Sequence, residues 1–207
     1  MTKPTTCFAA ALSGVAVFAS AAMADAPSLL FPVDCDLGET CFIQQYVDRD
    51  AGPDARDFTC GPQSYDGHQG TDIRVADLEA LALGWPVLAA ASGTIMGTRA
   101  SVADGGIATM PEGQDCGNGV VIDHGDGWQT QYCHLAQGSV RVAQGEAVQA
   151  GTVLGEIGYS GRTEFPHLHM TLRHNGTVVD PFDPSEGASC GVGADPLWAD
   201  DLDSTHG

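Results

Sequence analysis

Residues 119–135 read GVVIDHGDGWQTQYCHL. Side chains alternate in character from Gly119 to Asp123 and again from Trp128 to Tyr132, with His124-Gly125-Asp126-Gly127 between them. Period-two alternation on both sides of a glycine-aspartate turn predicts a β-hairpin. Working outward, short runs separated by glycine turns predict further strands at Pro86–Ala90, Gly93–Thr98, Val153–Tyr159, His167–Arg173 and Thr177–Asp180. Only Val75–Leu83 has helical character. Closely spaced strands with so little helix predict a mainly β protein built on an antiparallel sheet, as a sandwich or a partly open barrel.

The 207 residues suffice for one ordinary domain with short extensions. There are 27 acidic residues against 8 basic ones, a formal charge of -19, so the basic footprint of a nucleic-acid binder is missing. A polybasic patch for an anionic membrane is missing too. Residues 1–24 carry Lys3, an apolar stretch from Cys7 to about Ala22, and small residues at Ala22 and Ala24. That grammar predicts a secretory signal peptide cleaved near Ala24. The stretch is shorter than the ~20 apolar residues a membrane span needs, so no stable membrane insertion is expected.

Loss of the leader removes the only lysine and leaves 7 arginines against 27 acids, a formal charge of -20. It also leaves six cysteines, Cys35, Cys41, Cys60, Cys116, Cys133 and Cys190. An even number in an exported chain predicts disulfides, and sequence leaves most of the pairing open. The hairpin does bring Cys116 and Cys133 nearly opposite each other. Thiolate zinc sites fit poorly, because no CxxC pair is present. Residues 25–62 read as a cysteine-containing extension, 63–184 as the main domain, and 185–207 as an acidic tail held where Cys190 or Trp198 ties it down.

Three short motifs carry the chemistry. In His68-Gln69-Gly70-Thr71-Asp72 an imidazole and a carboxylate four residues apart can converge on one metal ion from a loop entering a strand; zinc accepts both donors. In Phe165-Pro166-His167-Leu168-His169 two histidines two apart on a strand point to one face. In Tyr132-Cys133-His134-Leu135, alternation puts Tyr132 and His134 on a shared face, from which His134 would look into the same site. His124, His174 and His206 read as turn and tail residues. Two histidines and one aspartate make a three-ligand zinc site with an open fourth position, and two further histidines remain to manage protons.

From about Tyr65 to Pro184 the chain resembles the lysostaphin-type (LytM-like) zinc endopeptidases, which cut peptide cross-links in bacterial cell walls. The three motifs occur in that family's order. The segments Pro86-Val87-Leu88-Ala89-Ala90-Ala91-Ser92-Gly93-Thr94-Ile95, Gly117–Gly125 and Gly151–Gly158 are similar as well. The resemblance implies a duplicated-hybrid-motif-like β fold with a groove crossing one sheet. It implies one Zn2+ per chain on His68, Asp72 and His169, with His134 and His167 as the catalytic pair. Tyr65 or its loop is expected to shape the site or to donate a hydrogen bond to the oxyanion.

Two departures stand out: Gly161-Arg162-Thr163-Glu164-Phe165 replaces a small-residue run, and Met170 replaces a common phenylalanine. Some relatives of this kind have lost metal ligands and regulate other wall hydrolases, but no gap in the constellation is found here. Residues 145–151 look like a biotinyl or lipoyl carrier hammerhead, yet the attachment lysine is missing. No dinucleotide or phosphate-binding glycine motif opens a helix. The expected protein is a periplasmic or secreted monomer that acts on peptidoglycan or another extracellular peptide and binds no nucleic acid.

Overall fold

The computed structural model describes residues 26–185, 190–191, 195–199 and 202. The leader expected over residues 1–24 and part of the acidic tail lie outside the described residues. Ten strands occur: β1 (Cys41–Gln45), β2 (Thr71–Val75), β3 (Pro86–Leu88), β4 (Gly93–Arg99), β5 (Asn118–Gly125), β6 (Trp128–Leu135), β7 (Ala147–Val148), β8 (Val153–Glu156), β9 (His167–His174) and β10 (Thr177–Val179). The main sheet runs β1-β2-β9-β6-β5-β4-β7, with β10 also pairing β9, and β3 and β8 form a separate ribbon. All of these pairings are antiparallel. The mainly antiparallel β expectation is borne out.

Local chemistry explains the elements. Gly125 pairs with Trp128, leaving Asp126 and Gly127 as the turn between β5 and β6, with φ of 50° and 83°. Both values lie in the left-handed region that a type I′ hairpin turn requires. The turn is tighter than the four residues expected, so His124 belongs to β5. The helical segment shrinks to α1, Leu78–Leu81, where Asp77 caps the N-terminus by accepting from the backbone N–H groups of Glu79 and Ala80.

On β9, Leu168, Met170 and Leu172 are buried in one core with Ile73, Ile122, Tyr132 and Leu154. Between them lie His167, His169, Thr171 and Arg173, which alternation puts on the opposite face. Each buried aliphatic side chain contributes roughly 1.5–3 kcal/mol. A one-residue slip of β9 would expose all three apolar residues, so the core fixes which residues face the site.

The apolar run of the extension becomes β1, an edge strand paired with β2. Disulfides join Cys35 to Cys41, Cys60 to Cys190 and Cys116 to Cys133. Tyr46 and Phe58 of the extension pack with Phe182 at ring separations of 5.0–5.2 Å, and Trp198 packs on Phe182 at 5.3 Å. The extension and the segment after β10 are thereby fastened to each other.

Candidate functional site

The β2–β9 ladder sets Asp72 directly opposite His169. Asp72 Oδ1 and His169 Nδ1 are 2.7 Å apart. His68 arrives from the loop before β2 and places Nε2 3.2 Å from both Asp72 Oδ1 and His169 Nδ1. Gly70 permits this approach, since a Cβ there would meet His169 ring atoms and the Met170 carbonyl at 2.7 Å.

The second nitrogen of each imidazole is also held. His68 Nδ1 lies 2.7 Å from the Tyr46 carbonyl oxygen, which can only accept, so Nδ1 carries the proton and Nε2 is left with its lone pair. His169 Nε2 is 3.1 Å from the Thr171 hydroxyl. A carboxylate oxygen and two imidazole nitrogens therefore converge on one point, an arrangement that suits a cation between them. These three groups could hold a metal, their ligand atoms lying within 4.8 Å of one another. Two imidazoles and one carboxylate, each imidazole oriented by a hydrogen bond at its far nitrogen, fit zinc. Burial alone would raise the Asp72 carboxyl, but the His167, His169 and His68 imidazoles gathered around it hold it well below the ordinary value.

His167 stands two residues before His169 on β9, with Nε2 3.5 Å from Asp72 Oδ1. Its Nδ1 is 3.0 Å from the Phe165 carbonyl oxygen and 3.1 Å from the Thr163 hydroxyl. The loop that departs from the lysostaphin-type pattern thus orients this imidazole. The His134 ring lies 4.8 Å from that of His167 and 6.0 Å from that of His169. His134 Nδ1 donates to the Ser160 carbonyl oxygen at 2.8 Å, leaving Nε2 as the lone-pair nitrogen.

The expectation that Tyr132 and His134 share a face is corrected here. Tyr132 pairs with Met170 on the core face, fully buried, whereas Cys133 pairs with His169 on the site face. Strict alternation would turn His134 away from the metal donors. It reaches them because its backbone is left-handed, with φ of 64°, which breaks the period. Burial first, then the neighbouring His167 and His169, pushes the His134 imidazole down to about 3.

Residues 66–181, more than half the chain, match peptidase family M23. The chain belongs to peptidase family M23. It is 36% identical over 105 residues to the cell division protein DipM of Caulobacter vibrioides, covering 49% of this chain and 15% of that protein. It is 34% identical over 113 residues to the peptidoglycan DD-endopeptidase ShyA of Vibrio cholerae, covering 55% of this chain and 22% of that protein. The match thus spans less than a quarter of these curated relatives. The SpoIIQ–SpoIIIAH pore-forming complex contains a chain of similar fold, with 21% identity, a TM-score of 0.52, and coverage of 75% of this chain and 89% of that one. The lysostaphin-type resemblance carried by the motifs is borne out at the level of family.

In this M23 domain four of the five residues line one cleft, and His68 is buried behind them. A cleft of about 380 Å³ holds Asp72, His134, His167 and His169 together with Gln44 and Gln45 of β1. Tyr65 lines it too, 54% exposed and with its ring 4.5 Å from that of His68. Burial, then the Asp72 charge, raises the Tyr65 phenol, which stays protonated and able to donate. The extension therefore supplies a wall of the cleft through β1.

Several site residues had gone unread in the sequence. Thr171 follows the β9 period from His169 and was legible in principle, whereas the Tyr46 and Ser160 carbonyls are main-chain atoms that leave no signal. The other histidines sit elsewhere. His124 bridges the Ser92 carbonyl and the Thr130 hydroxyl at 2.9 and 2.8 Å, and His174 stacks on Trp128 at 4.3 Å. His206 lies outside the described residues.

Proposed function

We propose that this chain is an exported, zinc-dependent endopeptidase that hydrolyses peptide bonds in peptidoglycan cross-links. The observation that carries the reading is the convergence of His68, Asp72 and His169 on one point, with two further imidazoles on the same cleft floor. His68, Asp72 and His169 would hold a zinc ion, which would supply a Lewis acid for the scissile carbonyl and acidify a bound water.

The remaining duties fall to the chain's own groups. His134 is neutral at working pH, and its Nδ1–H is committed to the Ser160 carbonyl, so Nε2 is the atom that takes a proton from the attacking water. His167, fixed at Nδ1 by Phe165 and Thr163, presents Nε2 to the cleft beside the developing oxyanion, and the proton that His134 has taken from the water passes on to the leaving amine, which returns His134 to its neutral form. Tyr65 is positioned to donate to the same oxyanion. The leader-like residues 1–24 and three disulfides favour an oxidising compartment, periplasmic or external. No helix among the described residues is long and apolar enough to cross a membrane.

The test is release of primary amines from purified peptidoglycan by the zinc-loaded protein. Release by the wild type that is absent from a His134→Asn variant supports the reading. A zinc-loaded wild type that releases none contradicts it.

A further inference from the structure

Beyond His169 the site face of β9 continues through Thr171 to Arg173, and Gln131 of β6 stands opposite Thr171. One cleft of about 230 Å³ is lined by His134 and His169 together with Gln131, Arg162 and Arg173. The His169 imidazole and the Arg173 side chain therefore share a groove.

Arg173 differs from four of the other arginines in its partner. Arg49, Arg56, Arg141 and Arg162 each have a carboxylate within 4.0 Å. Arg74 lies over the Phe42 ring, and Arg99 donates to the Gly117 carbonyl. Arg173 Nη1 donates to Gln131 Oε1 at 2.9 Å, and no carboxylate pairs with it among the described residues. Its guanidinium is also partly desolvated, which lowers its pKa. Partly burying a cation without a counter-charge is costly unless a ligand supplies one. Arg162 also lines the groove, but Asp115, 4.0 Å from it, lines the groove as well and offsets its charge, so Arg173 is the cation there without a paired carboxylate.

We propose that Arg173, oriented by Gln131, is a specificity-determining residue that binds a carboxylate of the substrate, so that acidic peptides are taken in preference to their amidated counterparts. This deepens the endopeptidase reading and rests on it. Gln131 occupies one of the five guanidinium donors, and the rest leave room for a bidentate carboxylate. Four residues of strand at about 3.3 Å each set the Arg173 backbone roughly 13 Å from that of His169, and the guanidinium reaches back to Gln131, opposite Thr171, within a few residues of extended peptide from the metal donors. On a chain with 27 acids against 8 bases, such a local cation is what would offset the repulsion an anionic substrate meets.

The test uses two synthetic cross-linked peptides of one sequence, with carboxylates free or amidated. The full zinc-loaded chain is expected to show a kcat/KM about 10-fold or more higher for the free acid, the scale of one charge-assisted hydrogen bond. Arg173→Gln collapses that preference to about 1, and Arg173→Lys restores only part of it, because an ammonium lacks the fork. Equal losses on both peptides, or an undiminished preference in Arg173→Gln, overturn the assignment. Calorimetric binding of both peptides to zinc-loaded His134→Asn protein, with and without Arg173→Gln, is the second arm. If the wild type cleaves neither peptide, the endopeptidase reading fails, and equal affinities for the two peptides then independently overturn the role of Arg173.

Discussion

Asp72 Oδ1 and His169 Nδ1 lie 2.7 Å apart on adjacent antiparallel strands, although 97 positions separate them in the sequence. The ladder, and not side-chain flexibility, sets this approach, because residues directly opposite in an antiparallel pair have their Cβ atoms only about 4.5–5.5 Å apart. His68 joins the pair from a loop braced against the Tyr46 carbonyl.

Removing either member of this pair leaves two donors where three stand. Asp72→Ala and His169→Ala are expected to weaken zinc binding by more than the ~10–100-fold typical of losing an outer hydrogen-bond partner. Elemental analysis after gel filtration reads the loss, and near-native circular dichroism separates it from unfolding. Full zinc occupancy in Asp72→Ala would remove that residue from the ligand set.

His134 and His167 are expected to behave in the opposite way, keeping the metal and losing turnover. His134→Asn is the cleaner variant, because asparagine tolerates the left-handed backbone at φ 64° whereas alanine adds strain. Both His134→Asn and His167→Ala should lower kcat by about 10²–10⁴-fold with one zinc retained per chain. A loss of zinc in step with activity would make them structural.

Thr171→Val probes the outer hydrogen bond, since it keeps the side chain's shape and deletes the hydroxyl 3.1 Å from His169 Nε2. The expected result in a chelator competition is zinc affinity about 10–100-fold weaker than wild type. Unchanged affinity would show that this hydroxyl does not orient the imidazole.

Away from the site, Asp180 gives a pH signature. Burial first, with the Asp183 charge adding to it, pushes its carboxyl from its ordinary 3.8 up to about 7. The folded state thus binds a proton that the unfolded state has released between about pH 4 and 7, so stability from this group falls as pH rises through that window. The slope approaches about 1.4 kcal/mol per pH unit for one proton. Asp180→Asn keeps the acceptor that Phe182 N–H uses at 2.9 Å. Urea titrations should find the variant's advantage growing from pH 4 to 7, and a pH-independent difference would refute the shift.

The sequence made some of this legible for a physical reason. Period-two alternation announced the β5–β6 hairpin and put His167 and His169 on one face, because strand geometry admits no other reading. The same rule misplaced His134, whose left-handed φ is invisible in a string of residue types. The run Cys41–Gln45 is too short to distinguish an edge strand from a loop, so the part β1 takes in the cleft wall emerged only with the fold. The Cys60–Cys190 link, 130 positions apart, follows no local pattern. Arg173 shares the β9 period with the histidines, yet an arginine at a strand end reads as a solvated side chain until its lack of a carboxylate partner is seen.

The most direct measurement is mass-spectrometric mapping of the fragments released from intact peptidoglycan by the full chain, as isolated, after chelation, and after zinc is restored. Peptide fragments with new termini that vanish with the chelator and return with zinc are the expected result, and they name the bond cut. A zinc-replete protein that releases no fragments, or releases them equally after chelation, would contradict a zinc-dependent endopeptidase.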